Sequence, residues 1–270
     1  MADRSYLDWP FFEDRHRKLA QELDDWCRQT KWPHHGDSVD ATDEACRKRV
    51  LLLAEGGWLR WCVPREYGGK HESLDVRSLC LIRETLARFD ALADFSFAMQ
   101  GLGSGAISLY GNSEQKQNIL EEVSAGRMIA GFALSEPDAG SDVAAMNSKA
   151  FSTTEGWKVN GEKSWISNGG IADYYTLFAK TSDQPGSGGI SAFLLKADNP
   201  GLSIAERQEI MAPHPLARLQ LKDAELSREA LLGEEGKGFG IAMATLNIFR
   251  PTVGAAALGF ARRALDEILH

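Results

Sequence analysis

The sequence predicts a multidomain α+β protein with an N-terminal helical domain (residues 1–127), a middle antiparallel β-barrel or β-sandwich domain (128–235) and the first helix of a C-terminal helical bundle domain (236–270). Apolar residues recur at steps of three and four in the first and last parts, which is the period of a helix. Aromatic and β-branched runs separated by turn residues fill the middle. No helical pattern lies between those runs, which favours antiparallel strands over a parallel sheet.

The N-terminal domain carries three kinds of helix signal. Thr42, followed by two acids, predicts a helix start, and Gly56–Gly57 predicts a stop. Asn112 with Gln115 three residues later predicts a capping box at the start of a further helix. One helical face is expected to carry the apolar residues Val76, Leu79, Ile82, Leu86 and Phe89.

The middle domain is predicted as short strands joined by turns. Asn160–Gly161 suits a two-residue hairpin between two strands, because both central residues of such a turn need positive φ. Glu155–Gly156 predicts another turn. The runs "YYTLFAK" and "ISAFLL" are typical of strands, with a flexible "DQPGSGG" loop between them.

The last helix is predicted to present an apolar face rich in small residues, which would let a partner helix approach closely. The pattern continues to Leu269 without a glycine cap or polar tail, so we expect the protein to continue beyond residue 270. A terminal helix that frays is the alternative. The predicted face comprises Val253, Ala257, Phe260, Ala264, Leu265 and Ile268.

Composition narrows the classes of function. The 270 residues carry a formal net charge of −8, which disfavours binding to nucleic acid or to an anionic membrane surface. No apolar run is expected to approach the roughly 18 residues of a membrane span, and the first residues lack a signal-peptide layout. Four cysteines without metal-ligand spacing predict reduced thiols in a cytoplasmic protein. His34–His35 is expected to be a solvated loop, so no metal site is predicted.

Common catalytic motifs are missing from the sequence. "EEGKGFG" lacks the Ser or Thr of a P-loop, and no Gly-x-Ser-x-Gly elbow or strand–GxGxxG–helix unit occurs. Two segments of the middle domain remain, residues 132–141 and 165–167. Hydroxyls and turn amides in the first, with an indole face and a hydroxyl in the second, suit a planar ring with polar edges, such as an isoalloxazine. A buried Trp beside an ordinary Gly/Ser turn is the competing interpretation.

Four stretches together resemble the acyl-CoA dehydrogenase family: "YGNSEQKQNIL", "FALSEPDAGSD", "VNGEKSWISNGGIADYYTLFAKT" and "LLGEEGKGFGIAMATL". The order of helical, β and helical domains is also similar. The resemblance implies FAD as cofactor, an acyl-CoA thioester as substrate, α,β-dehydrogenation with hydride transfer to flavin N5, and a homotetramer. It further implies an electron acceptor such as an electron-transfer flavoprotein.

The resemblance also assigns expected roles residue by residue. Trp165 would cover one flavin face, Ser141 would also approach the thioester ligand, and Asn247 with Arg250 would contact that ligand. The floor of the acyl pocket is expected in the stretch 99–102, "MQGL". The expected cofactor-binding residues are Phe132, Leu134, Ser135, Gly140, Ser141, Trp165, Ile166 and Ser167.

No catalytic base is identified in the sequence. The resemblance implies a Glu beyond residue 270 in most members, or a carboxylate on the last helix at the position of Phe249 in a minority. The 270 residues alone are therefore expected to be inactive, with Glu136 and Asp142 the first alternatives for a base. Acyl chain length stays open. Three alternative functions also stay open: an acyl-CoA oxidase, a nitroalkane oxidase, and a shortened chain that binds a ligand or partner without catalysis.

Overall fold

The computed structural model of the protein describes residues 3–34, 36 and 38–269, and its first half is helical. Buried leucines from several helices form the core of this half, as the apolar spacing requires. Leu79, Ile82 and Leu86 are fully buried, which confirms the predicted helical face. In the described part of this half the α-helices are α1 (Asp14–Gln29), α2 (Val39–Glu55), α3 (Val76–Phe89), α4 (Ala91–Tyr110) and α5 (Ser113–Ser124).

Helix boundaries follow capping chemistry. Asn112 and Gln115 form the predicted capping box at the start of α5. Gly56 caps α2, as expected. The predicted start of α2 at Thr42 was wrong, because the hydroxyl of Ser38 accepts a hydrogen bond from the Ala41 N–H at 3.2 Å and caps the helix one turn earlier.

The middle of the chain forms one eight-stranded sheet with the order β6-β7-β3-β2-β4-β5-β8, and β1 pairs with β4 off that path. The predicted fold class is therefore confirmed, with a helical part, a β part and the start of a second helical part. The strands are β1 (Ala130–Ala133), β2 (Lys149–Ser152), β3 (Gly156–Ser167), β4 (Tyr174–Lys180), β5 (Ile190–Lys196), β6 (Leu202–Arg207), β7 (Leu216–Ser227) and β8 (Leu231–Leu232).

The sheet is mixed rather than purely antiparallel, which corrects the sequence prediction. β1 runs parallel to β4 along four residue pairs, and β2 meets β4 at one parallel bridge. The remaining pairings are antiparallel. All four residues of β1 are buried, and its neighbour in the sheet comes some forty residues later, so no local pattern could reveal its direction.

The Asn160–Gly161 pair does not form a hairpin, because both residues lie inside β3. They mark a bulge in the pairing of β3 with β7, where Gly161 takes φ of 155°, a conformation that only glycine adopts easily. The Asn160 side chain exchanges hydrogen bonds with Asp223 of β7, at 2.8 and 3.1 Å. The real hairpin joins β2 to β3, with the predicted turn ending at Gly156.

The last helix, α6 (Gly238–Leu269), packs its small residues against α3 and α4. Thr252, Ala255, Ala256 and Gly259 are buried, and a side chain at Gly259 would collide with the Glu84 carbonyl of α3. The apolar face predicted from the sequence is exposed instead, with Ile268 79% accessible. The reason is that α6 approaches its neighbours closely, and only a face of small side chains permits that approach. The sequence was expected to contain no apolar run of membrane-spanning length. By length and composition alone, however, α6 is long and apolar enough to cross a membrane, and 33% of its most apolar 18-residue stretch is buried in the fold.

All four cysteines are free thiols, as predicted. Cys27, Cys46 and Cys62 are buried, and burial raises the pKa of the Cys46 thiol to about 12. His35 lies outside the described residues. Within residues 3–34, 36 and 38–269, no group of three or more His, Cys, Asp or Glu side chains could hold a metal ion.

Candidate functional site

A cavity of about 450 Å³ opens where the helical and β parts meet. Its walls come from the end of β1 and the loop after it, the end of β3, and the helices α4 and α6. All eight residues for which the resemblance implies cofactor contact line this cavity: Phe132, Leu134, Ser135, Gly140, Ser141, Trp165, Ile166 and Ser167. The fold thus brings two segments some thirty residues apart around one space.

Trp165 lines the cavity from a bulge in β3. The pairing of β3 with β7 shifts register between Lys163 and Ile166, and Trp165 takes φ of 60° there. A regular strand would place the side chains of Trp165 and Ser167 on one side of the sheet, and this bulge interrupts that alternation at Trp165. The Trp165 N–H donates to Gln208 Oε1 at 2.9 Å, which holds the bulge, and the side chain is 58% exposed.

The polar groups of the cavity are available to a ligand. The hydroxyls of Ser135, Ser141 and Ser167 form no hydrogen bond with any residue that the structure describes. An exposed indole on the wall and three free hydroxyls match a flat ring system that has apolar faces and polar edges. The residues present therefore fit the isoalloxazine of FAD.

A buried ion pair supports the loop that carries Ser135 and Ser141. Lys163 Nζ lies 2.8 Å from Glu136 Oε1, and both side chains are almost completely buried. Glu136 also accepts hydrogen bonds from the N–H groups of Asn147 and Ser148. Burial alone would raise the pKa of Glu136, but the Lys163 ammonium and these N–H donors outweigh it and hold the pKa below its ordinary value.

These contacts argue against Glu136 as a base, since its carboxylate already has partners on both oxygens. Asp142 lines the cavity, is exposed, and accepts a hydrogen bond from the Ala144 N–H at 3.2 Å. Phe249, at the position where the resemblance places the base of a minority of members, is buried and carries no titratable group. No base is therefore assigned.

A second cavity, of about 540 Å³, adjoins the first and is mostly apolar. Arg250 lines both cavities. Asn247, predicted to act beside it, is exposed and lines neither. The lining that the two cavities share consists of Met99, Leu102, Ser167, Leu246 and Arg250.

Of residues 99–102, the predicted floor of the acyl pocket, only two line the second cavity. Met99 and Leu102 line it, one helical turn apart on α4. Gln100 points away and joins the two domains instead: its side chain donates to the Met128 carbonyl at 2.8 Å and accepts from the Ala130 N–H at 2.9 Å. Gly101 faces the ring of Phe249.

Replacing Gln100 with methionine is expected to lower the free energy of unfolding by about 2 kcal/mol or more, because two buried backbone groups would lose their partner while the shape is kept. Chemical denaturation measures the change. Gln117→Met, at an exposed position on α5, is the matched control and should change stability by less than about 0.5 kcal/mol. Equal effects of both substitutions would contradict the bridging role.

Sequence reasoning missed two pairs of side chains on the wall of the second cavity. His214 stacks on Phe95, and Arg83 forms an ion pair with Asp94 at 2.8 Å. His214 lies between two prolines in the stretch "PHPLARLQL", and no motif there indicated a cavity residue. The Arg83–Asp94 pair had no sequence signal, since the two residues lie on different helices.

The fold and the paired cavities define a ligand-binding protein in which a helical layer and a β-sheet enclose the site between them. Family models described as the acyl-CoA dehydrogenase N-terminal, middle and C-terminal domains match residues 13–127, 131–224 and 236–270. The chain belongs to the acyl-CoA dehydrogenase family.

Three relatives illustrate the match. A probable acyl-CoA dehydrogenase, fadE25 of Mycobacterium leprae, is 35% identical over 95% of this chain and 66% of its own length. The structure of butyryl-CoA dehydrogenase from Megasphaera elsdenii is 30% identical, with a TM-score of 0.82 over 96% of this chain and 68% of that one. An acyl-CoA dehydrogenase from Bacillus anthracis, complexed with FAD, is 33% identical, with a TM-score of 0.81 over 94% and 44%. The chain thus spans just under two thirds of the length of the curated relative.

Proposed function

We propose that this protein is an FAD-dependent acyl-CoA dehydrogenase that removes hydrogen from the α and β carbons of an acyl-CoA thioester. One observation carries the proposal: eight residues from two separate segments surround one cavity with an exposed indole and free hydroxyls, and a mostly apolar cavity adjoins it. The first suits the flavin ring and the second suits an acyl chain.

In this proposal the walls of the first cavity hold the cofactor. Trp165 would cover one ring face, while Ser135 and Ser167 would donate hydrogen bonds to its polar edges. Bound FAD would supply the acceptor for the hydride from the β carbon, which no amino-acid side chain can provide, and the proton from the α carbon would pass to a base, a role assigned to no described residue. The Lys163–Glu136 pair would keep the loop after β1 in the shape that presents Ser135 and Ser141.

The walls of the second cavity would bind the acyl chain. Leu246, Phe249 and Val253 of α6 line it at helical spacing, and Met99 with Leu102 closes it from α4. The acyl chain and these mostly apolar walls would together exclude water from the carbons that lose hydrogen. Arg250, which lines both cavities, would contact the thioester end of the ligand where the two spaces meet.

The proposal extends to the setting of the reaction. Acceptance of electrons by an electron-transfer flavoprotein, assembly as a homotetramer and a cytoplasmic location are proposed from the resemblance and the composition. The second candidate is an acyl-CoA oxidase or nitroalkane oxidase, since the same cavities would serve a flavin that reacts with oxygen. Reactivity of the reduced flavin with oxygen separates the two.

Changing Trp165 to alanine tests the cofactor site. We expect the variant to retain FAD at least about tenfold more weakly, because the ring loses a large aromatic contact. FAD bound per chain after gel filtration, measured from the flavin absorption band, gives the result. Phe151→Ala is the matched control, since Phe151 is an exposed aromatic of β2 that lines neither cavity. Equal retention by both variants would count against the proposal.

A further inference from the structure

The loop of residues 208–215 places one imidazole on the wall of the second cavity, and the proposed dehydrogenation gives it no task. His214 stands between two prolines, and its ring lies 4.4 Å from that of Phe95, centroid to centroid, at an interplanar angle of 40°. Both side chains line the cavity. Packing against Phe95 and the contact of Nδ1 with the Ala212 carbonyl orient the imidazole, and the flanking prolines restrict the backbone on either side of it.

The hydrogen bonds of His214 define its tautomer. Nδ1 lies 2.9 Å from the Ala212 carbonyl oxygen, which can only accept, so Nδ1 carries the proton. Burial lowers the pKa of His214 below its ordinary value despite that bond, so the ring is neutral near pH 7. Nε2 then holds a lone pair.

That lone pair is open to a ligand. Nε2 has no hydrogen-bond partner within the part of the chain that the structure describes, and it is not sealed from solvent. The nearby carboxylate differs in this respect, because both oxygens of Asp94 accept from Arg83, at 2.8 and 2.9 Å. Arg83 in turn donates to the Thr252 hydroxyl at 3.1 Å.

We infer that His214 determines the specificity of this cavity by accepting a hydrogen bond from a hydroxyl group on the acyl chain of a CoA thioester. The inference rests on the proposed function. A plain hydrocarbon chain would strip water from Nε2 and leave it without a partner, whereas a hydroxylated chain would replace the lost water. Sites built to bind a hydroxyl discriminate strongly against ligands that lack one.

Equilibrium binding to the FAD-loaded full chain tests the inference. The probes are octanoyl-CoA and its monohydroxy derivatives from carbon 4 to carbon 8, measured by calorimetry. We expect at least one hydroxy derivative to bind about tenfold or more tightly than octanoyl-CoA. His214→Phe keeps a ring on Phe95 but removes the acceptor, and should abolish that preference. His214→Gln restores an acceptor and should recover part of it.

Met211→Leu is the control, because Met211 is fully exposed in the same loop and lines neither cavity. It should leave the preference unchanged. Equal affinity of the wild type for all octanoyl thioesters would overturn the inference while leaving the proposed function intact, and this result needs no variant to fold. A preference that survives His214→Phe would overturn it as well. Failure of every thioester to bind would overturn the proposed function and the inference with it.

Discussion

Replacing Lys163 with methionine is expected to lower the free energy of unfolding by about 3–5 kcal/mol, the usual cost of leaving one buried charge without its partner. Lys163 is fully buried and lies 2.8 Å from Glu136, so the variant would strand the Glu136 carboxylate in the interior. Its remaining partners are two backbone N–H groups and cannot replace the ammonium. Urea denaturation monitored by circular dichroism measures the loss.

Two further variants make this prediction specific. Lys163→Met combined with Glu136→Gln removes both charges and should recover part of the stability, since no unpaired buried ion remains. Lys149→Met breaks the exposed Lys149–Asp183 pair, in which the Lys149 Nζ lies 2.9 Å from the Asp183 carboxylate, and should cost far less stability than Lys163→Met because water screens both charges. A double variant no more stable than Lys163→Met alone would show that the charge of Glu136 is not the source of the loss.

Phe249→Ala is expected to lower the free energy of unfolding by about 3–5 kcal/mol, through lost burial and the cavity that remains. The ring of Phe249 lies against the bare backbone of α4, and a Cβ added at Gly101 would stand 2.6 Å from it. Gly105, one turn later, approaches the same ring. Because these glycines cannot move side chains into the gap, little relaxation is available.

Thermal and chemical unfolding measure this effect, and Phe260→Ala is the control. Phe260 is a phenylalanine on the same helix, yet it is 45% exposed, so its removal should cost about 1 kcal/mol or less. Similar losses of stability in the two variants would contradict the prediction that the packing of Phe249 on α4 stabilises the fold. Gly101→Ala should also destabilise, because the added methyl group would crowd the Phe249 ring from α4.

Local patterns in the sequence predicted much of the fold. The spacing of Leu79, Ile82 and Leu86 identified the buried face of α3, and the Asn112–Gln115 signal identified the start of α5. Periodicity and capping depend on residues within a turn or two of each other, so the chain itself contains the information. The succession of helical, β and helical parts followed from the same kind of evidence.

The residues of the candidate site were identified partly through residue chemistry and mainly through resemblance to a family. The segments 132–141 and 165–167 proved to surround one cavity. Spacing could not show that Asn247 faces away from it, nor that Gln100 bridges the domains. The orientation of a helical residue depends on which neighbour the helix packs against, and several faces of α4 and α6 were apolar enough to be chosen.

The sequence by itself determined the helical and β parts, their order and, through the family resemblance, the two segments that line the first cavity. Only the tertiary structure decided the parallel pairing of β1 with β4, the bulge that exposes Trp165, and the stacking of His214 on Phe95. Each of these joins residues that are distant along the chain or depends on the register of a neighbouring strand. Such contacts depend on the packing of the whole molecule, so a short stretch of sequence does not indicate which distant residues it will contact.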